Sequence, residues 1–329
     1  MLRTTLLATL CASSLLTTAF TAHADPQKSF ASESGTVTVT PVVEGLDHPW
    51  ALAFLPDKQG MLVTERPGNL RTVSPDGKLS APLSGVPQVW AKGQGGLLDV
   101  VLSPSFGEDR LVYLSYAEGG EDGKAGTTVG RGRLSDDLTR LTNFEVIFRQ
   151  QPKLSTGNHF GSRLVFDRDG YLFIALGENN QRPTAQDLDK LQGKVVRIYP
   201  DGRIPDDNPF VGNKDARPEI WSYGHRNQQG AALNPWTGTL WTHEHGPKGG
   251  DEINLIERGK NYGCRWRPTA LTTLPGRFPR RRAQLSKVRW GRITFGRNRQ
   301  GSVAWPFTIQ TGSSRGSTTC LSVPWPIKT

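Results

Sequence analysis

From about residue 45 to Gly263 the chain runs as short apolar stretches cut by Gly, Pro, Asp and Asn, with almost no helical periodicity. Four segments share one pattern: an apolar strand, a turn and a second strand. They are Ala51–Phe54, the Pro56-Asp57 turn and Met61–Thr64; Leu98–Leu102, a turn at Pro104 and Leu111–Tyr116; Leu164–Phe166, Asp167–Gly170 and Tyr171–Leu176; and Ala231–Leu233, Asn234–Gly238 and Thr239–Thr242. Their starts lie 47, 66 and 67 residues apart. Third strands are predicted over Asn69–Val73 and Lys194–Ile198, each followed by Pro-Asp-Gly. Strand sets recurring at such intervals predict an all-β chain of the β-propeller kind, with four recognisable blades. A β-sandwich, with a turn about every 8–12 residues, is the competing architecture. The repetition of whole sets rather than single strands favours the propeller. A propeller closes into a ring, which removes sheet edges, and this ring reads as unfinished at Gly263.

Charge divides the chain at the same place. Cys264–Thr329 holds 13 Lys and Arg and no acidic residue, whereas residues 1–263 hold 27 basic and 30 acidic residues. The formal net charge of +10 is thus −3 in front and +13 behind, so function is read from residues 25–263. The basic segment admits three readings. It is an arm for nucleic acid, built on clustered Arg and aromatic residues, a segment for anionic lipid, or out-of-frame sequence replacing the native C-terminus. Its abrupt start and the loss of every strand-turn-strand unit favour the third. At the other end, Arg3, the apolar run Leu6–Phe20 and Ala22-His23-Ala24 read as a secretory signal over residues 1–24. No further segment is long and apolar enough to cross a bilayer. Cys11 leaves with the signal, and Cys264 and Cys320 lie in the basic segment. The body up to Gly263 therefore has no disulfide or thiolate ligand and rests on its apolar core.

Three loops carry candidate chemistry. His159 sits in Thr156-Gly157-Asn158-His159-Phe160-Gly161, just before a strand, where propellers place working groups. Imidazole suits proton abstraction near neutral pH, although a loop histidine also serves simply to bind backbone. Tyr223-Gly224-His225-Arg226-Asn227-Gln228 sets a fixed cation beside an amide, suited to carboxylate or quinone oxygens. The third loop is His243-Glu244-His245-Gly246-Pro247 through Asp251-Glu252. Its two imidazoles, read as sharing a strand face, could take a transition metal. Alternatively the carbonyls of Gly246 and Pro247 and the Glu252 carboxylate could take Ca²⁺, which binds only oxygen. An acidic hairpin with no ligand is the third reading. Gln94 precedes the second unit as His159 precedes the third, and equivalent loops of successive blades converge on one face.

Together these stretches resemble the soluble PQQ-dependent aldose sugar dehydrogenases of the glucose/sorbosone dehydrogenase family. The matching runs include Leu46–Leu52, Gly93–Val100, Lys153–Phe160, Gly177–Arg182, Tyr223–Asn227, His245-Gly246-Pro247, Gly250–Asn254 and Asn261-Tyr262-Gly263. They span about residues 37–263, and Ser162 stands where the family has Gly. The resemblance implies a six-bladed propeller with pyrroloquinoline quinone (PQQ) and Ca²⁺. It implies oxidation of aldose sugars at C1 to lactones in the periplasm, with electrons passed to an unidentified acceptor. His159 is then the base, Gln94, Arg226 and Asn227 contact PQQ, and Gly246 and Pro247 hold the cofactor's Ca²⁺. Glu252 and Tyr262 resemble ligands of a further, structural Ca²⁺. No nucleic-acid partner and no stable membrane insertion are expected, and the protein is read as a monomer or homodimer. The likeness stops where Cys264-Arg265-Trp266-Arg267 follows, which supports the out-of-frame reading and implies weakened cofactor binding. Two functions of other classes compete. One is a lactonase-like hydrolase with metal on His243 and His245; the other is a non-enzymatic binding propeller with a basic arm.

Overall fold

The computed structural model describes residues 28–33, 35–155, 157–247 and 251–264. The expected signal segment and the basic segment beyond Cys264 lie outside the described residues. The chain divides into two units, residues 1–44 and the chain from Gly45 onward. The first unit contributes an exposed antiparallel hairpin, β1 (Lys28–Ser32) and β2 (Gly35–Val39).

Among its described residues the second unit forms four antiparallel sheets, each a simple meander in chain order. The first is β3 (Pro49–Phe54), β4 (Met61–Glu65) and β5 (Asn69–Val73). The second is β6 (Leu97–Leu102), β7 (Leu111–Gly119), β8 (Ala125–Leu134) and β9 (Leu141–Arg149), with a single helical turn, α1 (Phe106–Asp109), between β6 and β7. The third is β10 (Gly161–Phe166), β11 (Leu172–Leu176), β12 (Lys194–Ile198) and β13 (Ile220–Tyr223). The fourth is β14 (Gln228–Leu233), β15 (Leu240–Glu244) and β16 (Glu252–Leu255). The strands predicted over Asn69–Val73 and Lys194–Ile198 are found with the same bounds. All four predicted strand pairs form as well.

The opening strands of successive sheets lie side by side, β3 against β6, β6 against β10 and β10 against β14. That radial stacking is the propeller arrangement. The core accordingly lies between sheets. Leu62, Leu70, Leu97 and Leu114 fill the first gap, Val129, Ile174, Val196 and Ile220 the second, and Phe173, Val195, Leu240 and Ile256 the third. Strand periodicity explains how one sheet serves two gaps: Phe173 and Ile174 are neighbours in β11 and point to opposite faces. Each such side chain contributes about 1.5–3 kcal/mol by leaving water. The turns follow from local chemistry. In Asp167–Gly170 the Asp167 carboxylate accepts the N–H of Asp169 (3.0 Å) and of Tyr171 (2.8 Å), and Gly170 takes φ +84°.

Each of these four sheets has a break in register near the start of its first strand. The breaks fall between Pro49 and Ala51, Leu97 and Val100, Gly161 and Leu164, and Gln228 and Gly230. A bulge bends its strand and re-aims side chains, and it is common beside active sites.

Candidate functional site

His159 lies at the centre of a buried polar cluster just before β10. Its backbone is left-handed, φ +55°. Three neighbours hold it there. The Gln94 side-chain oxygen accepts the His159 N–H at 2.8 Å. The His159 carbonyl accepts both the N–H and the Nδ2 of Asn179, each at 3.2 Å. Gly177 packs so close that a Cβ there would overlap the His159 carbonyl oxygen. A left-handed non-glycine residue costs about 1 kcal/mol or more and persists only where its surroundings over-determine it.

The imidazole is equally constrained. Both carboxylate oxygens of Glu178, a fully buried residue, lie 2.9 Å from His159 Nδ1. An ionised carboxylate can only accept, so Nδ1 carries the proton, and in the neutral ring the lone pair is on Nε2. Arg226 Nη2 lies 3.4 Å from that Nε2. Arg226 is braced in turn: its N–H donates to Glu244 Oε2 at 2.6 Å, its carbonyl accepts the Glu178 N–H at 2.9 Å, and Nη1 donates to the His245 carbonyl at 2.9 Å. Glu244 is also buried. Its other oxygen accepts Asn254 Nδ2 at 2.9 Å and lies 3.6 Å from His225 Nδ1. Asn227 joins the cluster through Oδ1, which accepts the Gly161 N–H (3.2 Å) and Gln229 Nε2 (2.9 Å). Hydrogen bonds thus bring together Gln94, His159 and the Arg226-Asn227 pair from three separate stretches of the chain. A shallow groove lined by Gln59, Thr72, Lys78 and Leu138 shares no residue with this cluster.

Arg226 Nε, a donor, and Asn179 Oδ1, an acceptor, are both buried and have no hydrogen-bond partner among the described residues. Leaving such groups unpaired is costly, so a polar ligand carrying negatively charged oxygens fits the cation side of the cluster.

The third loop presents oxygen. Gly246 donates its N–H to Asp251 Oδ1 at 2.9 Å, and the exposed Pro247 follows it. Glu252 opens β16 directly opposite Glu244 on β15, and burial, followed by the Glu244 charge, raises the Glu252 carboxyl above its ordinary range. Two facing carboxylates on one edge suit a hard cation. The Tyr262 hydroxyl is engaged in its own loop, accepting the Glu257 N–H and donating to the Leu255 carbonyl, and its ring stacks on His225. Tyr262 would therefore meet a cation through its main-chain carbonyl. β15 ends at Glu244, so His245 stands beyond the strand, its Nδ1 3.5 Å from Asp251. Among the described residues no group of three or more His, Cys, Asp or Glu side chains forms a metal cluster.

The sequence profile of the Glucose / Sorbosone dehydrogenase family matches residues 46–270. The chain belongs to this family. It is 68% identical over 228 residues to the aldose sugar dehydrogenase YliI of Escherichia coli K12, covering 69% of this chain and 62% of that protein. Among solved structures it is similar to the apo-form soluble aldose sugar dehydrogenase of Escherichia coli. There identity is 70%, the TM-score 0.65, and coverage 66% of this chain and 63% of that one. It is also similar to the PQQ-bound aldose sugar dehydrogenase of Streptomyces coelicolor, at 33% identity and TM-score 0.60, covering 68% and 64% of the two chains. The chain thus spans under two thirds of the length of these relatives. Membership in the glucose/sorbosone dehydrogenase family and the four stacked sheets agree on an all-β propeller.

Sequence reasoning did not single out Glu178 or Glu244, the two carboxylates that organise this family member's cluster. Glu178 falls in the Gly177–Arg182 stretch that carried the resemblance, but a carboxylate just past an apolar strand looks like surface. Its burial under His159 is set by residues 19 positions away.

Proposed function

We propose that this chain is a periplasmic aldose dehydrogenase that uses PQQ, assisted by Ca²⁺, to oxidise sugars at C1 to lactones. The observation that carries the reading is the Glu178–His159–Arg226 arrangement, a base held through Nδ1 on one side and facing a half-buried guanidinium on the other. Family membership and the PQQ-bound relative support it. When bound, PQQ supplies the two-electron acceptor that takes hydride from the sugar. Everything else falls to side chains. Glu178 keeps the Nδ1 proton in place, so that Nε2 can draw the proton from the anomeric hydroxyl as the C–H bond breaks. Arg226, its Nε unpaired, offers positive charge where negative charge collects in the transition state. Gln94 holds the backbone of the base, and Asn227 ties the Arg226 loop to β10; both would also reach the cofactor.

The carbonyls of Gly246 and Pro247 would hold the Ca²⁺ that seats the cofactor. Glu252, with the main chain at Tyr262, would hold a second. Return of the electrons requires a separate acceptor, and export through the Leu6–Phe20 segment supports a periplasmic location. No helix among the described residues is long and apolar enough to cross a membrane. We read the protein as a monomer or homodimer without a nucleic-acid partner.

The test is dye-linked aldose oxidation by the purified 25–329 chain supplied with PQQ and Ca²⁺. Turnover should require PQQ, and both His159→Gln and Glu178→Gln should lower it by about 10²-fold or more while circular dichroism is unchanged. Turnover that is indifferent to His159→Gln, or equal without PQQ, would refute the reading.

A further inference from the structure

The four register breaks have a common product. Trp50, Asp99, Arg163 and Gln229 each lie inside the break of their own sheet, one from each of β3, β6, β10 and β14. All four meet on one guanidinium. Arg163 Nη1 donates to Asp99 Oδ1 at 3.0 Å, its Nε donates to the Gln229 carbonyl at 2.7 Å, and its Cζ lies 4.2 Å over the Trp50 ring. Asp99 is buried, and its carboxylate also accepts the N–H of Val100 (3.0 Å) and of Leu164 (2.8 Å). The belt also pairs two backbone groups at these strand heads, the Leu164 N–H, where β10 regains its register, and the Gln229 carbonyl inside the β14 break.

We propose that Arg163 is a positioning residue for the dehydrogenase site: it fixes the separation between His159, ahead of β10, and Arg226–Asn227, ahead of β14. The inference rests on the proposed function for the meaning of that separation, but not for its geometry. The path is short. Arg163 follows His159 by four residues and grips Gln229, whose side chain donates to Asn227 Oδ1 at 2.9 Å; that same oxygen accepts the Gly161 N–H at the head of β10. One planar fork therefore clamps both strand heads from below. Lysine cannot replace it, because a point charge on a flexible stem offers neither two divergent donors in one plane nor a face to stack on indole.

The experiment uses the 25–329 chain labelled with ¹⁵N-histidine, His159 being assigned from the signal lost in His159→Gln. Arg163→Lys and the milder Trp50→Leu are compared with Arg131→Met, which removes an arginine bonded to Glu145, Tyr113 and the Pro200 carbonyl, outside the belt. In the unliganded wild type His159 should show one tautomer, with Nδ1 protonated. Arg163→Lys should give averaged tautomer signals and weaken PQQ binding, followed by cofactor fluorescence, about tenfold, and Trp50→Leu should change both in the same direction. Arg131→Met should leave both as in the wild type. Should Arg163→Lys fail to fold, Trp50→Leu alone decides. An unchanged His159 spectrum in the folded belt variants, or an equal change in Arg131→Met, would overturn the proposal. If the wild type shows no PQQ affinity, the proposed function fails while the histidine spectra still judge the belt.

Discussion

At the scale of single residues, the site is built from backbone that only a few side chains tolerate. His159 at φ +55° and Ser162 at φ +85° flank Gly161 at φ +65°. Ser162 occupies the position at which the family resemblance expects glycine, and the structure shows why glycine belongs there. The serine recovers part of its strain by a 3.2 Å bond from Oγ to the Phe160 carbonyl and a 3.3 Å contact with Thr127 Oγ1, both long and weak. Removing the Cβ should outweigh losing them. Ser162→Gly is therefore expected to stabilise the chain by about 1 kcal/mol, whereas Ser162→Ala, which keeps the strain and drops the bonds, should destabilise it by a similar amount. Urea unfolding of the three proteins checks this, and an alanine variant more stable than the glycine one would show that strain at this position is unimportant.

At the scale of elements, β12 shows how a strand can be legible while its role is not. Lys194–Ile198 was readable from Lys-Val-Val-Arg-Ile ahead of a Pro-Asp-Gly turn, but nothing local says that Lys194 is fully buried. Its Nζ donates to the carbonyls of Gln192 (2.7 Å), Thr184 (2.9 Å) and Ala185 (3.2 Å), pinning the loop on which Gly224 and His225 rest through the Ala185 and Gly193 carbonyls. Those partners are brought together by the loop's own path. The same limit hid β8, whose Gly126, Gly130 and Gly132 dilute the apolar signal; Gly130 is required because a Cβ there would overlap the Phe144 ring and the Glu145 carbonyl of β9. It hid Glu178 and Glu244 as well, since the loops they organise meet only after the sheets stack. The His159, Arg226 and Asn227 loops could be read because donor-rich, Gly-flanked sequence is poor surface filler. Lys194 also yields a pH prediction. Burial pushes its ammonium down to about 7, against weaker pulls from Asp187 and Asp189. The unfolded chain keeps that proton up to its ordinary range near 10.5, so between these values unfolding takes up a proton and stability rises with pH; the gain is absent below about 7. Lys194→Met lacks this linkage. Wild type should gain melting temperature relative to Lys194→Met as pH rises from 7 to 10, and a constant gap across that range would contradict the buried-lysine account.

At the scale of the whole molecule, the described propeller ends on a three-stranded sheet whose last strand, β16, carries Glu252 opposite Glu244. Like charges directly across a strand pair repel, so without a cation this edge is a weak point in the stack of sheets. A cation bound only by the folded chain would reverse that and stabilise every sheet stacked behind it, since ligand binding to the native state adds to global stability. Ca²⁺ at about 100 times its dissociation constant contributes roughly 2.7 kcal/mol, or about 5–10 °C in melting temperature for a body of this size. Glu252→Gln separates the two effects by sign. In EGTA the variant loses the repulsion and should melt slightly above wild type, whereas in Ca²⁺ it would lack the proposed ligand and should melt below it. The two melting curves should therefore exchange order when Ca²⁺ replaces EGTA, in scanning calorimetry of the 25–329 chain. Were the variant to lie on the same side of wild type in both buffers, Glu252 would be acting as an ordinary edge carboxylate and the second Ca²⁺ site would have no basis.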